Sequence, residues 1–180
     1  MKRLQSTRNM KLNFASIVAT LMFFGLLGMV SISLAEGGKW EQKADMQIPR
    51  FELSSSAVDG KIYIFGGVKT VPPAWTVTAP VEAYDPATDT WGTKTDMPTP
   101  RGALSTSVVD GIIYTIGGWW GWTTVEAYNP VANTWEKKVP MPTIRSHFST
   151  SVVNGIIYAI GGSKGNLEGG RFTNLQFSNH

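Results

Sequence analysis

Seven tryptophans, two histidines and no cysteine set what this 180-residue chain can do chemically. Without a thiol there is no thiolate nucleophile, no disulfide framework and no zinc cage. No G-x-S-x-G, H-E-x-x-H or phosphate-cradling glycine loop occurs either, so the common hydrolytic and nucleotide chemistries lack their carriers. What remains is recognition chemistry. The stretch "YTIGGWWGWTTVEAYNP", Tyr114 to Pro130, crowds Trp119, Trp120 and Trp122 into four positions directly after a glycine pair. Arginines stand at the ends of "MQIPR", "MPTPR" and "MPTIR" as Arg50, Arg101 and Arg145. Guanidinium forks beside indole rings suit carboxylates, anionic sugars or acidic peptides.

The elements that must position these residues are repeated. Trp40, Trp91 and Trp135 each stand ten residues before Arg50, Arg101 and Arg145. Sixteen residues after each arginine comes Gly66-Gly67, Gly117-Gly118 or Gly161-Gly162, with Tyr63, Tyr114 or Tyr158 three before the pair. Tyr84 and Tyr128 precede the next tryptophan by seven. A period of 44–51 residues with so many fixed offsets marks a repeat architecture. Each unit reads as four short strands. "LSSSAV", "LSTSVV" and "FSTSVV" end in Asp-Gly or Asn-Gly, a strong hairpin signal, and lead into "KIYIF", "IIYTI" and "IIYAI". "VEAY" supplies a third strand, and after "DPATDT" or "NPVANT" a fourth opens with the tryptophan. No stretch after residue 35 has helical periodicity, so the chain is expected to be all-β.

The first 35 residues are of another kind. Lys2, Arg3, Arg8 and Lys11 precede the apolar run "LNFASIVATLMFFGLLGMVSISLA", which ends in small residues before Glu36. This is the pattern of a secretory signal cleaved after Ala35, with an uncleaved membrane anchor as the alternative. Either reading exports residues 36–180, to the periplasm, the cell surface or the medium. The leader holds four of the 16 basic residues and none of the 13 acidic ones, which leaves the remainder at −1 rather than the +3 of the whole chain. No basic stripe is left to neutralise a phosphate backbone, which excludes nucleic acid as the expected partner.

Arginine, hairpin, double glycine, tyrosine and tryptophan in this order resemble the kelch repeat, over residues 40–162 in three matching units. The resemblance implies a kelch-type β-propeller fragment of about three four-stranded antiparallel blades. It also implies that the repeated tryptophans and tyrosines pack between blades. One spacing breaks the pattern: 17 residues separate Gly67 from Tyr84, but ten separate Gly118 from Tyr128. The segment between the second and third strands therefore reads as a free loop on a rigid scaffold, where binding function concentrates. The four tryptophans outside the repeat, Trp75, Trp119, Trp120 and Trp122, all fall in these loops. Strand direction brings Arg50, Arg101 and Arg145 toward the same rim, a face at which kelch propellers commonly bind partners.

The expected function is therefore an exported binding module, recognising a protein or a glycan through Trp75, Trp119, Trp120, Trp122 and the three arginines, with no catalytic residue, metal or cofactor. Some kelch-type propellers resemble copper oxidases, but that pattern needs several histidines and a cysteine crosslinked to tyrosine. Others resemble periplasmic sugar mutarotases, which makes a sugar-converting enzyme the alternative. Its acid–base candidates are His147 and Glu52, at equivalent places after Arg145 and Arg50, where the second unit has Ala103. About three blades fall short of the four to eight of known propellers. A truncated reading of a longer propeller is one expectation. A homodimer completing a six-bladed ring is the other, with "TNLQF" as a third strand and "KWEQK" completing the partner's last blade.

Overall fold

The computed structural model describes residues 38–71, 74–164 and 174–178; the leader at 1–35 lies outside them. Among the described residues no helix is long and apolar enough to cross a membrane.

In the first unit β1 (Ser54–Val58) and β2 (Lys61–Phe65) form a hairpin across Asp59-Gly60. Both turn residues have positive φ, +50° and +73°, which a two-residue type I′ turn requires and which selects Asp-Gly. β3 (Val68–Val71) and β4 (Ala74–Val77) pair with each other, and β5 (Val81–Asp85) and β6 (Thr90–Lys94) complete a four-stranded antiparallel sheet in the order β1-β2-β5-β6. The β3–β4 hairpin corrects the expectation of a free loop between the second and third strands. β-Branched valines and threonines fill the segment and zip it into its own two-stranded ribbon.

The second unit repeats the sheet with β7 (Ser105–Val109), β8 (Ile112–Ile116), β9 (Val125–Asn129) and β10 (Thr134–Lys138). In the third, β11 (Ser149–Val153) and β12 (Ile156–Ile160) are joined by β13 (Leu175–Phe177), which takes the place expected for "TNLQF". Residues 38–46 form no strand, and Trp40, expected to pack between blades, is fully exposed (102%). Its repeats Trp91 and Trp135 have a tyrosine of the preceding strand to rest on, whereas no such strand precedes Trp40 among the described residues.

Two apolar layers join the blades. Tyr63, Phe65, Val81 and Ala83 of the first meet Leu104, Ile113 and Tyr128 of the second. Tyr114, Ile116, Val125 and Ala127 of the second meet Phe148, Ile157 and Ala159 of the third. Along the first strands the join is polar. Thr106 hydrogen-bonds the hydroxyls of Ser54 and Ser56, at 2.9 and 2.8 Å, and Thr150 sits the same way between Ser105 and Ser107. The double glycines mark the tightest approach. A Cβ on Gly66 would lie 2.2 Å from the Arg101 carbonyl oxygen, and one on Gly117 2.5 Å from that of Arg145. The amides of Gly67 and Gly118 donate to those same carbonyls at 2.9 Å.

Candidate functional site

The tryptophan loops are built on the link that follows each arginine. Just beyond the first glycine pair, Val68 exchanges backbone hydrogen bonds with Phe51, which fixes the root of the β3–β4 hairpin carrying Trp75. Just beyond the second, Trp119 donates its amide to Gly102 at 2.7 Å. The loop then turns back through Trp122 N–H to Gly118 O (2.7 Å) and closes with Gly117 N–H to Thr124 O (2.8 Å). Holding this turn places Trp120 at φ +65° and Trp122 at φ +42°. Bulky residues are rare in the left-handed region, and such outliers concentrate at functional sites.

The result is one cavity of about 310 Å³ between the loops of neighbouring blades, lined by Val68, Trp75, Val77, Trp119, Trp120 and Trp122. All four tryptophans outside the repeat meet there. Trp75 and Trp120 are exposed, 69% and 67%, while Trp119 and Trp122 are half-buried. Their indole nitrogens separate them from the repeat tryptophans. Trp91 donates to Ala44 O at 2.8 Å and Trp135 to Thr95 O at 3.0 Å, but no hydrogen bond joins the loop indoles to other described residues. Phe51 meets Trp75 edge-on at 5.6 Å, and His147 meets Trp119 edge-on at 4.8 Å.

The arginines are not on this rim, which corrects the sequence expectation. Arg50, Arg101 and Arg145 are buried, Arg101 and Arg145 to 0% exposure. Arg50 pairs with Glu82, and Arg101 with Glu126 at 2.8 Å. Arg101 also donates to Thr124 O at the end of the tryptophan loop. Burial pushes its guanidinium down to about 10, opposed by Glu126. Arg145 donates to Gly161 O at 2.6 Å, and burial lowers it too. Arg101 lies directly beneath the tryptophan loop: a Cβ on Gly121 would lie 2.4 Å from Arg101 Cδ. An anion would have to displace Glu82 to reach Arg50, or Glu126 to reach Arg101. Sequence reasoning missed both glutamates. The available signal was an acid in each otherwise apolar "VEAY", two positions before the tyrosine.

Glu52, Ala103 and His147 do share a geometry. All three have φ near +50°, and their backbones link across the blades, Ala103 N–H to Glu52 O (2.8 Å) and His147 N–H to Ala103 O (3.0 Å). The small side chain of Ala103 leaves His147 Nε2 3.6 Å from Glu52 Oε1. Glu52 Oε2 is buried without a hydrogen-bond partner. Among the described residues no group of three or more His, Asp or Glu is arranged to hold a metal.

Comparison with known proteins agrees with this architecture. A family model described as the Kelch motif matches residues 49–98, 100–142 and 144–174, and the chain belongs to the kelch-repeat family. The kelch repeat is in general a protein-binding unit. Similar curated proteins include Kelch-like ECH-associated protein 1B of Danio rerio, 34% identical over 81 residues, which are 45% of this chain and 14% of that protein. Kelch-like protein terF of Aspergillus terreus is 40% identical over 84 residues, 45% of this chain and 18% of that one. Alpha-scruin of Limulus polyphemus is 34% identical over 80 residues, 44% and 8% of the two chains. The chain thus spans less than a fifth of these relatives. In fold it is similar to YjhT, with a TM-score of 0.65 at 18% identity, covering 70% of this chain and 49% of YjhT.

Proposed function

We propose that the chain is an exported kelch-type recognition module, and that its ligand seats in the cavity of Trp75, Trp119, Trp120 and Trp122. The carrying observation is the convergence of the four tryptophans that the repeat does not need. Two elements, a hairpin in one blade and a strained loop in the next, deliver them to one place. Among the described residues the lining offers indole faces and indole N–H donors but no side-chain carboxylate, amide or hydroxyl. Such a surface suits an aromatic or aliphatic side chain of a protein partner, in the manner of an interface anchor. A glycan would stack on the indoles but meet few hydrogen-bond partners. Export rests on the basic-then-apolar leader.

Selection from a displayed random-peptide library, with a glycan array beside it, tests the reading. Peptides with an aromatic or aliphatic anchor should be enriched, and Trp75→Ala with Trp120→Ala should weaken their binding by roughly tenfold or more. The same pair should leave the melting temperature nearly unchanged, while Trp135→Ala destabilises by about 3 kcal/mol. Binding that survives both loop substitutions would remove the cavity from the function. A glycan hit lost in the same variants would change the ligand class and keep the site.

A second reading has one observation in its favour, the approach of His147 to Glu52. If the pair works as an acid–base couple on a sugar, polarimetry will show accelerated mutarotation of a reducing sugar, abolished by Glu52→Gln and by His147→Ala. No acceleration above solvent would leave binding as the sole activity.

A further inference from the structure

The cavity of the four loop tryptophans has an electronic character as well as a shape. Among the described residues no ring contact joins any two of these indoles; Trp75 meets Phe51 and Trp119 meets His147 instead, both edge-on. The rings therefore surround a space rather than fill it. That space, about 310 Å³, is at the small end of the roughly 300–1,000 Å³ of ligand sites. Val68 and Val77, paired in register across the β3–β4 ribbon, add methyl groups to the lining and no charge. Indole faces carry the negative pole of the aromatic quadrupole, and of the aromatic side chains tryptophan attracts a cation most strongly.

The charges around the cavity do not oppose a cation. Arg101, beneath the second loop, is balanced by Glu126 at 2.8 Å. Lys69 alternates with Val68 along β3 and so belongs to the other face of the ribbon. Glu52 and its neighbour His147 are the remaining pair, with Oε1 and Nε2 3.6 Å apart. Glu52 Oε2 is buried without a hydrogen-bond partner and lies 3.6 Å from where a Cβ on Gly102 would stand. Gly102 O in turn accepts the Trp119 amide, so an acidic oxygen is one backbone contact away from the tryptophan wall.

The lining also selects among cations. A lysine ammonium or an arginine guanidinium carries several N–H donors, and burying them where no side chain accepts is costly. A trimethylammonium group has no N–H, keeps its charge, and presents only methyl groups to the rings and valines. On the reading that this cavity is the ligand seat, we infer that its occupant is the trimethylammonium group of a methylated lysine on a protein partner. No hydrogen bond joins the four indole N–H groups to other described residues, so they are donors for peptide carbonyls beside such a side chain. Choline carries the same head group but brings no carbonyl.

Three capped amino acids separate these contributions: Nα-acetyl-trimethyllysine amide, the same molecule with carbon in place of the quaternary nitrogen, and Nα-acetyl-lysine amide. Each is titrated into the refolded full-length chain and followed by the indole N–H shifts in NMR spectra, with choline beside them. Trimethyllysine should bind roughly tenfold or more tighter than either of the others, and Trp75→Ala or Trp120→Ala should remove most of that affinity. Biosynthetic replacement of tryptophan by a fluorinated analogue drains charge from the ring faces with little change of shape. It should narrow the gap between the charged and neutral ligands without relying on either alanine variant. A neutral isostere that binds as tightly as trimethyllysine, and is lost in Trp75→Ala, would overturn the cation while leaving the cavity as the seat. Trimethyllysine binding untouched by both alanine variants would overturn the seat and the inference together. Choline binding tighter than trimethyllysine would overturn the protein partner as its source, and no saturable shift with trimethyllysine would overturn the inference outright.

Discussion

At the scale of single residues, the corner between the third and fourth strands shows how one side chain serves several backbones. Asp85 Oδ1 caps the turn by accepting from Ala87 N–H at 3.0 Å. Asp89 Oδ1 accepts from the Tyr84 hydroxyl at 2.6 Å and from Ala44 N–H at 2.9 Å. In the next unit Asn133 does the same work with Tyr128 and Thr95 N–H. The difference is charge. The Tyr84 hydroxyl, then the Ala44 amide, holds the Asp89 carboxyl below its ordinary 3.8. A carboxyl depressed on folding contributes stability above its unfolded pKa and loses it as pH falls through the folded one. Asp89→Asn should therefore change little at pH 7, since Asn tolerates the φ of +54° as Asn133 does at +55°. Below about pH 3.8 the variant should lose stability less steeply than the parent. Urea unfolding midpoints from pH 7 to 2 check this, and parallel acid limbs would show that the carboxylate adds nothing.

At the scale of elements, the glycine pair ends each second strand where the next blade's arginine carbonyl arrives. Gly117 and Gly161 separate the two demands on such a position. Both have positive φ, +57° and +71°, so an alanine at either carries the left-handed penalty of about 1 kcal/mol. Among the described residues only Gly117 has a carbonyl within reach, at 2.5 Å from a built Cβ. Gly117→Ala should cost a further 1–3 kcal/mol or so by forcing blades two and three apart, and Gly161→Ala should not. Denaturant midpoints of the isolated single chain at low concentration measure both. Equal losses would mean that the backbone angle alone selects glycine. The same element logic explains Arg50 and Arg101: each buried guanidinium is tolerated because Glu82 or Glu126 balances its charge.

At the scale of the whole molecule, the blades differ in how many neighbours cover them. The second lies between two others, and β7 alternates buried and half-buried residues. The equivalent β11 in the third blade is exposed at four of its five positions. Local opening costs least where backbone hydrogen bonds are least covered. Hydrogen exchange at low protein concentration should accordingly be slower in β8 and β9 than in β11 and β13, by roughly tenfold or more. Uniform protection across the three blades would mean that the chain unfolds as one unit.

The sequence by itself determined the repeat, and through it the strands, the Asp-Gly turns and the tyrosine–tryptophan packing. Those features are local or recur at fixed offsets, so pattern alone reveals them. The tertiary structure decided what the offsets do not encode. It turned Arg50, Arg101 and Arg145 inward, the first two onto Glu82 and Glu126, which lie across the sheet at distances in sequence that no short motif displays. It folded residues 68–77 into a hairpin and brought Trp75 beside Trp119, Trp120 and Trp122 from another blade. It also left Trp40 without the packing of its repeats, since burial depends on which blade stands alongside, and that is a property of the arrangement rather than of the residue.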